Sequence, residues 1–306
     1  MTETSQGIAA AEARERLRAA TVLRAMAMML ASTLLFAAMH GSIRHASASL
    51  HPFEIAFFRN LFGLLFVVPW FLRLGFAPLR TRRFGLHLLR TAFNLLAMLS
   101  FFYALSIAPL SQVAALGFTA PIFATLLAVL VLGEVVGLRR WSAIFIGFAG
   151  VLIVLRPGLA DVGAGQLLTV FSSLTWAAAL TVIKTLSRTD SSVTIITWAG
   201  LLMVPASLVP AAFFWQWPSA EQWLWLVAIG LLGGAGQYCM TEALRQADTA
   251  TVMPIDFLKL VWVSMIAYLA FAETPDLFTW LGGGVILAST VYIAYRERVT
   301  RQAVIS

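Results

Sequence analysis

Three ionisable residues sit in stretches of this chain that are otherwise almost wholly apolar. Arg59 lies within EIAFFRNLFGLLFVVPW, and Asp256 and Lys259 lie within MPIDFLKLVWVSMIAYL. The planar guanidinium fork of Arg59 fits a carboxylate or phosphate at two points. Its structural alternative is an ion pair with Glu54 or Asp256. Asp256 and Lys259 are three residues apart, which puts both on one face of a helix. Either they form a closed pair that fixes helix packing, or a substrate opens them, with Asp256 taking an amine or a proton and Lys259 an acid group. A carboxylate at low dielectric exchanges its proton in response to small changes around it. Asp256 is therefore the first candidate for proton coupling. Glu242 is the second, with a charge at the interface beside Arg245 as its structural alternative.

Weaker candidates complete this inventory. His40 has the one side-chain type that titrates near neutral pH unperturbed; its alternative is an interfacial cluster with Arg44 and His45. Asn94, Gln112, Trp176, Gln237 and Tyr238 either line a binding site or make helix–helix contacts. Trp176 and Tyr238 would supply stacking surfaces. His51 and His87 have no metal-spaced partner, and no phosphate loop of the G-x-x-x-x-G-K-[ST] form occurs. These absences predict a protein with no metal or cofactor that is not an enzyme.

The elements that must position these residues follow from composition. The 306 residues are 60% hydrophobic and 11% charged, against about 25% charged in soluble domains. So few charges cannot cover a surface in water, and lipid must be the main solvent. The lone cysteine, Cys239, excludes a disulfide within the chain. The net charge of +7 reads as a basic cytoplasmic face rather than a nucleic-acid surface. The first apolar segment is late and long, which argues against a cleaved leader.

Ten apolar segments of near-spanning length are expected at 24–43, 53–72, 86–107, 110–132, 139–156, 164–184, 193–214, 221–244, 249–271 and 277–295. Residues 1–23 and 297–306 are expected as cytoplasmic tails. With a cytoplasmic N-terminus, 17 of the 21 basic residues fall on the cytoplasmic side. Arg44 and Arg156 fall outside, and Arg59 and Lys259 within helices. The positive-inside rule thus supports ten spans with both termini inside.

At a constant offset of 139 residues the second half of the chain echoes the first. Ala104, Leu105, Ala108, Val113 and Phe118 match Ala243, Leu244, Ala247, Val252 and Phe257. Ala128, Leu130, Glu134, Leu138, Trp141 and Ala149 match Ala267, Leu269, Glu273, Leu277, Trp280 and Ala288. Five helices per half is an odd number, so the halves 24–156 and 163–296 must be inverted. Inverted repeats are a common plan of secondary transporters, with the substrate near the midplane between them. Glu134 and Glu273, at matched corners, read as caps or ion-pair partners. Pro121 and Pro254 interrupt their helices, and Gly233-Gly234, Gly236 and Gly282-Gly283-Gly284 permit close helix contact.

The chain resembles the ten-helix drug/metabolite transporter superfamily, in its EamA-type branch. The resemblance rests on the corners Leu132-Gly133-Glu134, with Trp141 following, and Phe271-Ala272-Glu273. It rests also on GVLIVLRPG at Gly150–Gly158 and EIAFFRN at Glu54–Asn60. The run Met253–Glu273 is similar to members assigned to S-adenosylmethionine uptake and riboflavin uptake. The resemblance implies a cavity surrounded by helices 1–4 and 6–9, with helices 5 and 10 outside. The expected function is alternating-access transport, across the cytoplasmic membrane, of a small organic metabolite that is zwitterionic or partly anionic. Candidate partners are membrane lipid, the substrate, protons and a second copy of the chain. A membrane-embedded enzyme and a membrane scaffold or receptor are the competing classes.

Overall fold

The computed structural model describes residues 2–66, 68, 75, 79–132, 138–156, 162–246, 255–256 and 258–305. Every regular element among them is helical: α1 (Thr2–Ala46), α2 (Pro52–Gly63, continued by a 3-10 turn Leu64–Phe66), α3 (Phe84–Ile107), α4 (Leu110–Gly117), α5 (Ala120–Leu132), α6 (Leu138–Leu155), α7 (Ala164–Leu186), α8 (Ser192–Ala212), α9 (Ala220–Gln246), α10 (Leu258–Phe271) and α11 (Leu277–Ile305). Six described stretches are long and apolar enough to cross a bilayer: Ala20–Ala46, Phe84–Ile107, Leu110–Val131, Ala164–Leu186, Thr194–Ala212 and Ala220–Leu244. Trp141–Leu155, Leu258–Phe271 and Leu277–Tyr292 are apolar but shorter. In Ala220–Leu244 only 28% of the most apolar window is buried in protein. The remaining apolar surface needs a lipid cover, so this is an all-helical membrane protein.

Local chemistry sets the helix ends. Pro52 occupies the first turn of α2, and the His51 ring accepts a hydrogen bond from Phe53 N. Ser191 caps α8 by accepting from Thr194 N. Ala272 closes α10 with φ +54°, and Glu273 N reaches back to Ala267 O at 3.0 Å. That is a left-handed helix cap occupied by a residue with a Cβ.

Two expectations change. The N-terminal stretch expected as a tail is itself helical, because α1 runs without a break from Thr2. Residues 9–20, AAAEARERLRAA, are rich in strong helix formers, so the helix continues past its apolar part. α11 likewise continues to Ile305. The expected helix 110–132 is broken at Phe118–Thr119. Pro121 cannot donate to the carbonyl of Gly117. The Ser173 hydroxyl, from α7, instead lies 3.5 Å from Gly117 O and 3.4 Å from Leu116 O, and Thr290 donates to Phe118 O at 3.3 Å. Neighbouring hydroxyls thereby satisfy the carbonyls that the break exposes.

α1 packs chiefly on α9, α3 on α7, and α6 on α11; α2 and α8 cross each other. Shifted by 139 residues, α1 becomes α7 and α3 becomes α9, so the first two pairings are images of one another. α6 and α11 cross at Gly150 and Gly282. A Cβ at Gly150 would sit 2.9 Å from Gly282 O, and one at Gly282 would sit 2.7 Å from Gly150 O. At that separation backbone touches backbone.

Candidate functional site

α1, α2 and α10 carry His40, Arg59 and Lys259 into the interior of the bundle, and Asp256, two residues before α10, pairs with Lys259. Counted from the helix ends nearest Glu273, His40 and Arg59 lie about 10 Å deep and Lys259 about 18 Å deep, at 1.5 Å per residue. His40 is 8% exposed and packs against Phe101 at 5.1 Å between ring centroids. Its Nδ1 is buried without a hydrogen-bond partner among the described residues. His40 is thus packed inside the bundle, while Arg44 pairs with Glu273 and His45 packs on Trp225.

Arg59 donates to Asn60 Oδ1 at 3.1 Å, and Asn60 is held in turn by Ser207 at 3.1 Å. The guanidinium runs along α9 at Gly233, where a Cβ would come within 3.2 Å of Nε. Among the described residues no carboxylate lies within ion-pair distance of Arg59, so neither Glu54 nor Asp256 is its partner. Lys259 Nζ lies 3.3 Å from Asp256 Oδ2 and 5.0 Å from the centre of the Phe118 ring. The break between α4 and α5 thus presents Phe118 to the ammonium, a cation–π placement. Asp256 Oδ1 is buried and unpartnered among the described residues. Two cations, one carboxylate with an open oxygen, and an imidazole with an open nitrogen leave the cluster with net positive charge. Such a group favours an anionic or zwitterionic guest.

The other candidates are placed as follows. Glu242 accepts from Gln246 at 2.5 Å, near the far end of α9. Gln237 is exposed and contacts Thr241 at 3.5 Å, and Tyr238 beside it is 54% exposed. Trp176 is 37% exposed on α7, and Asn94 is half-buried on α3. Gln112 accepts from Gln166 at 2.9 Å and lines a cleft of about 240 Å³ at the Glu273 end of the bundle. That cleft is a notch between helix ends, away from Arg59 and Lys259; Glu273, Asp276 and Thr279 line its other side. Glu134 and Pro254 lie outside the described residues.

Three polar joints lie outside this cluster; of their members the sequence reading marked only Glu273 as a cap or ion-pair partner. Arg44 donates to Leu105 O (3.0 Å), Ala108 O (3.1 Å) and Glu273 Oε1 (3.0 Å), and Glu273 Oε2 accepts from Leu110 N at 2.8 Å. Arg156 pairs with Asp276 and lies over the Phe278 ring. Burial raises the Asp276 carboxyl, but hydrogen bonds from Thr279 and the Arg156 charge outweigh it and hold the group below its ordinary 3.8. At the opposite end Asp190 accepts from Thr81 at 2.6 Å and contacts His87 Nε2 at 2.8 Å. The Thr81 hydrogen bond, with help from His87, holds the Asp190 carboxyl below its usual range. Each joint ties residues more than 100 positions apart, except for the Arg44 bonds within the first half. The sequence signal was limited to a charge beside a helix end.

Comparison with known proteins follows the same lines. The family model described as "EamA-like transporter family" matches residues 23–156 and again 163–295. A riboflavin transporter of Rhizobium johnstonii is 37% identical over 244 residues, covering 79% of this chain and 80% of that protein. A riboflavin transporter of Vibrio cholerae is 32% identical, covering 88% and 92%. An S-adenosylmethionine uptake transporter of Rickettsia bellii is 29% identical, covering 83% and 88%. One solved crystal structure aligns with a TM-score of 0.60 over 92% of this chain and 99% of its own, at 17% identity, a likeness of fold alone.

Proposed function

Because the chain belongs to the EamA-like transporter family, we propose that it carries a small zwitterionic or partly anionic metabolite across the cytoplasmic membrane by alternating access. Relatives named for riboflavin and S-adenosylmethionine make these two compounds the first substrates to test. In this reading the chain has ten spans in two inverted halves, 24–156 and 163–296, with both termini in the cytoplasm. The double family match, the exchange-related helix pairs and the distribution of basic residues support it. A reporter active only outside the cytoplasm should stay silent when fused after Arg83 and work when fused near Trp217; the reverse pattern sinks the orientation.

The observation that carries the substrate reading is Arg59, an arginine inside the bundle with no carboxylate beside it among the described residues. A cation so placed is costly unless something anionic completes it. Arg59 would bind the acid group, Lys259 would release Asp256 to meet an amine or a proton, and His40 would hydrogen-bond the guest through Nδ1. Purified protein in liposomes provides the test, by counterflow of labelled riboflavin and of S-adenosylmethionine. Arg59→Gln should lower the rate at least tenfold at an unchanged amount of folded protein. Asp256→Asn should abolish pH-driven accumulation while sparing exchange. Full activity of Arg59→Gln removes the clamp, and full pH-driven accumulation by Asp256→Asn removes Asp256 from coupling. Chemically altered product without counterflow refutes transport altogether.

A further inference from the structure

Glu54, in the first turn of α2, has no exposed surface. Its Oε2 lies 3.4 Å from Gln216 N, a long hydrogen bond, and its Oε1 is buried without a partner among the described residues. Gln216 belongs to the connection 213–219 between α8 and α9. Trp215, next to it, packs on Phe57 and Phe58 with ring centroids 5.7 and 5.5 Å apart. Phe214 stacks on His51 at 3.8 Å. The connection therefore lies as an aromatic cover over the start of α2.

Among the described residues no charged group pairs with this carboxyl. α2 packs on α1, α3, α8 and α9. α8 and the connection carry no ionisable side chain. At this end of α3 stands Tyr103, whose ring is about 6.1 Å from the rings of His51 and Phe53. α1 contributes Arg44, already engaged by Glu273, and His45, which packs on Trp225. α9 contributes Glu221 in its first turn. On α2 itself His51 accepts from Phe53 N, and Arg59 is bonded to Asn60. None of these groups forms an ion pair with Glu54. An ionised carboxylate held by one long hydrogen bond is costly in such a place, and the dipole of the first helical turn offsets only a small part of that cost.

We propose that Glu54 is a proton-binding site: it holds a proton whenever the 213–219 connection covers α2, and releases it to the solution at that end only when the cover lifts. Closing this end of the bundle then requires a proton aboard. The idea deepens the carrier reading, but its test needs no substrate, so it can fail while that reading stands. Infrared difference spectra are recorded on wild type in lipid vesicles as the pH is stepped from neutral to alkaline. A protonated carboxylic C=O band should be present at neutral pH and disappear on titration. It should be missing from Glu54→Gln and retained in Asp256→Asn. Tryptophan emission should follow the same titration in wild type and stay flat in Glu54→Gln. If Glu54→Gln does not fold, Glu54→Asp serves in its place, and the band must move in frequency. A band that is absent from wild type, survives in Glu54→Gln, vanishes in Asp256→Asn or stays unmoved in Glu54→Asp overturns the assignment.

Discussion

Replacing Glu273 with alanine removes one side chain and loosens three elements. Its Oε1 holds Arg44 of α1 at 3.0 Å, its Oε2 holds Leu110 N at the start of α4 at 2.8 Å, and its own backbone closes α10. Hydrogen bonds to a charged group contribute about 1.5–3 kcal/mol each. The Arg44 and Glu273 side chains are 22% and 20% exposed, which places both bonds at the low end of that range. Arg44 keeps the carbonyls of Leu105 and Ala108, so its charge is not left bare. The expected loss is about 3 kcal/mol for Glu273→Ala. It should be about 1 kcal/mol for Glu273→Gln, which can still accept from Leu110 N but turns a donor toward the guanidinium. Unfolding in mixed micelles titrated with a denaturing detergent measures both. A double-mutant cycle with Arg44→Met should return a coupling of about 1 kcal/mol. A Glu273→Ala protein within about 0.5 kcal/mol of wild type, or zero coupling, would refute the reasoning.

Three further outcomes are expected. Ala272→Gly should stabilise the protein by about 1 kcal/mol, because glycine relieves the left-handed strain at φ +54°; the matched corner of the first half already has Gly133. Gly150→Ala should cost about 2 kcal/mol by driving a Cβ into Gly282 O and Ile286 N, each 2.9 Å away, whereas Gly284→Ala, with nothing within 4 Å, should be neutral or slightly stabilising; thermal unfolding of both variants decides. The Asp276 carboxyl is held below its unfolded value of 3.8, so its contribution is present above that pH and is lost as pH falls through the lower folded value. Asp276→Asn should therefore be less stable than wild type at neutral pH and should lose less on acidification below about pH 4, read from unfolding midpoints across pH.

Most helix limits that fall on described residues were legible because lipid demands long apolar runs; the end of the segment expected at 53–72 and the start of that at 249–271 lie outside the described residues. The break at Phe118–Thr119 was half legible: Pro121 announced it, but the hydroxyls of Ser173 and Thr290 that make it tolerable come from helices distant in sequence. The helical course of residues 2–23 was not foreseen, although their alanine, glutamate and arginine are good helix formers. At the candidate site, the spacing of Asp256 and Lys259 fixed their pairing in advance. The surroundings of His40 depend on how α1 turns against α2 and α10, which no local pattern encodes. Glu54 was weighed only as a partner for Arg59. What sets it apart is the lack of a charged partner among the described residues, and only three-dimensional packing reveals that.

The crossing of Gly150 and Gly282 joins the final helix of one half to the final helix of the other, with main chain against main chain. Val154 and Ile286 flank the contact, and the Ser289 hydroxyl of α11 donates to Ala143 O of α6, so small residues at the crossing and one polar tether hold it together. The two segments that match the family model, 23–156 and 163–295, each contribute one helix to this seam. A change in size on one side of the seam has to be answered on the other.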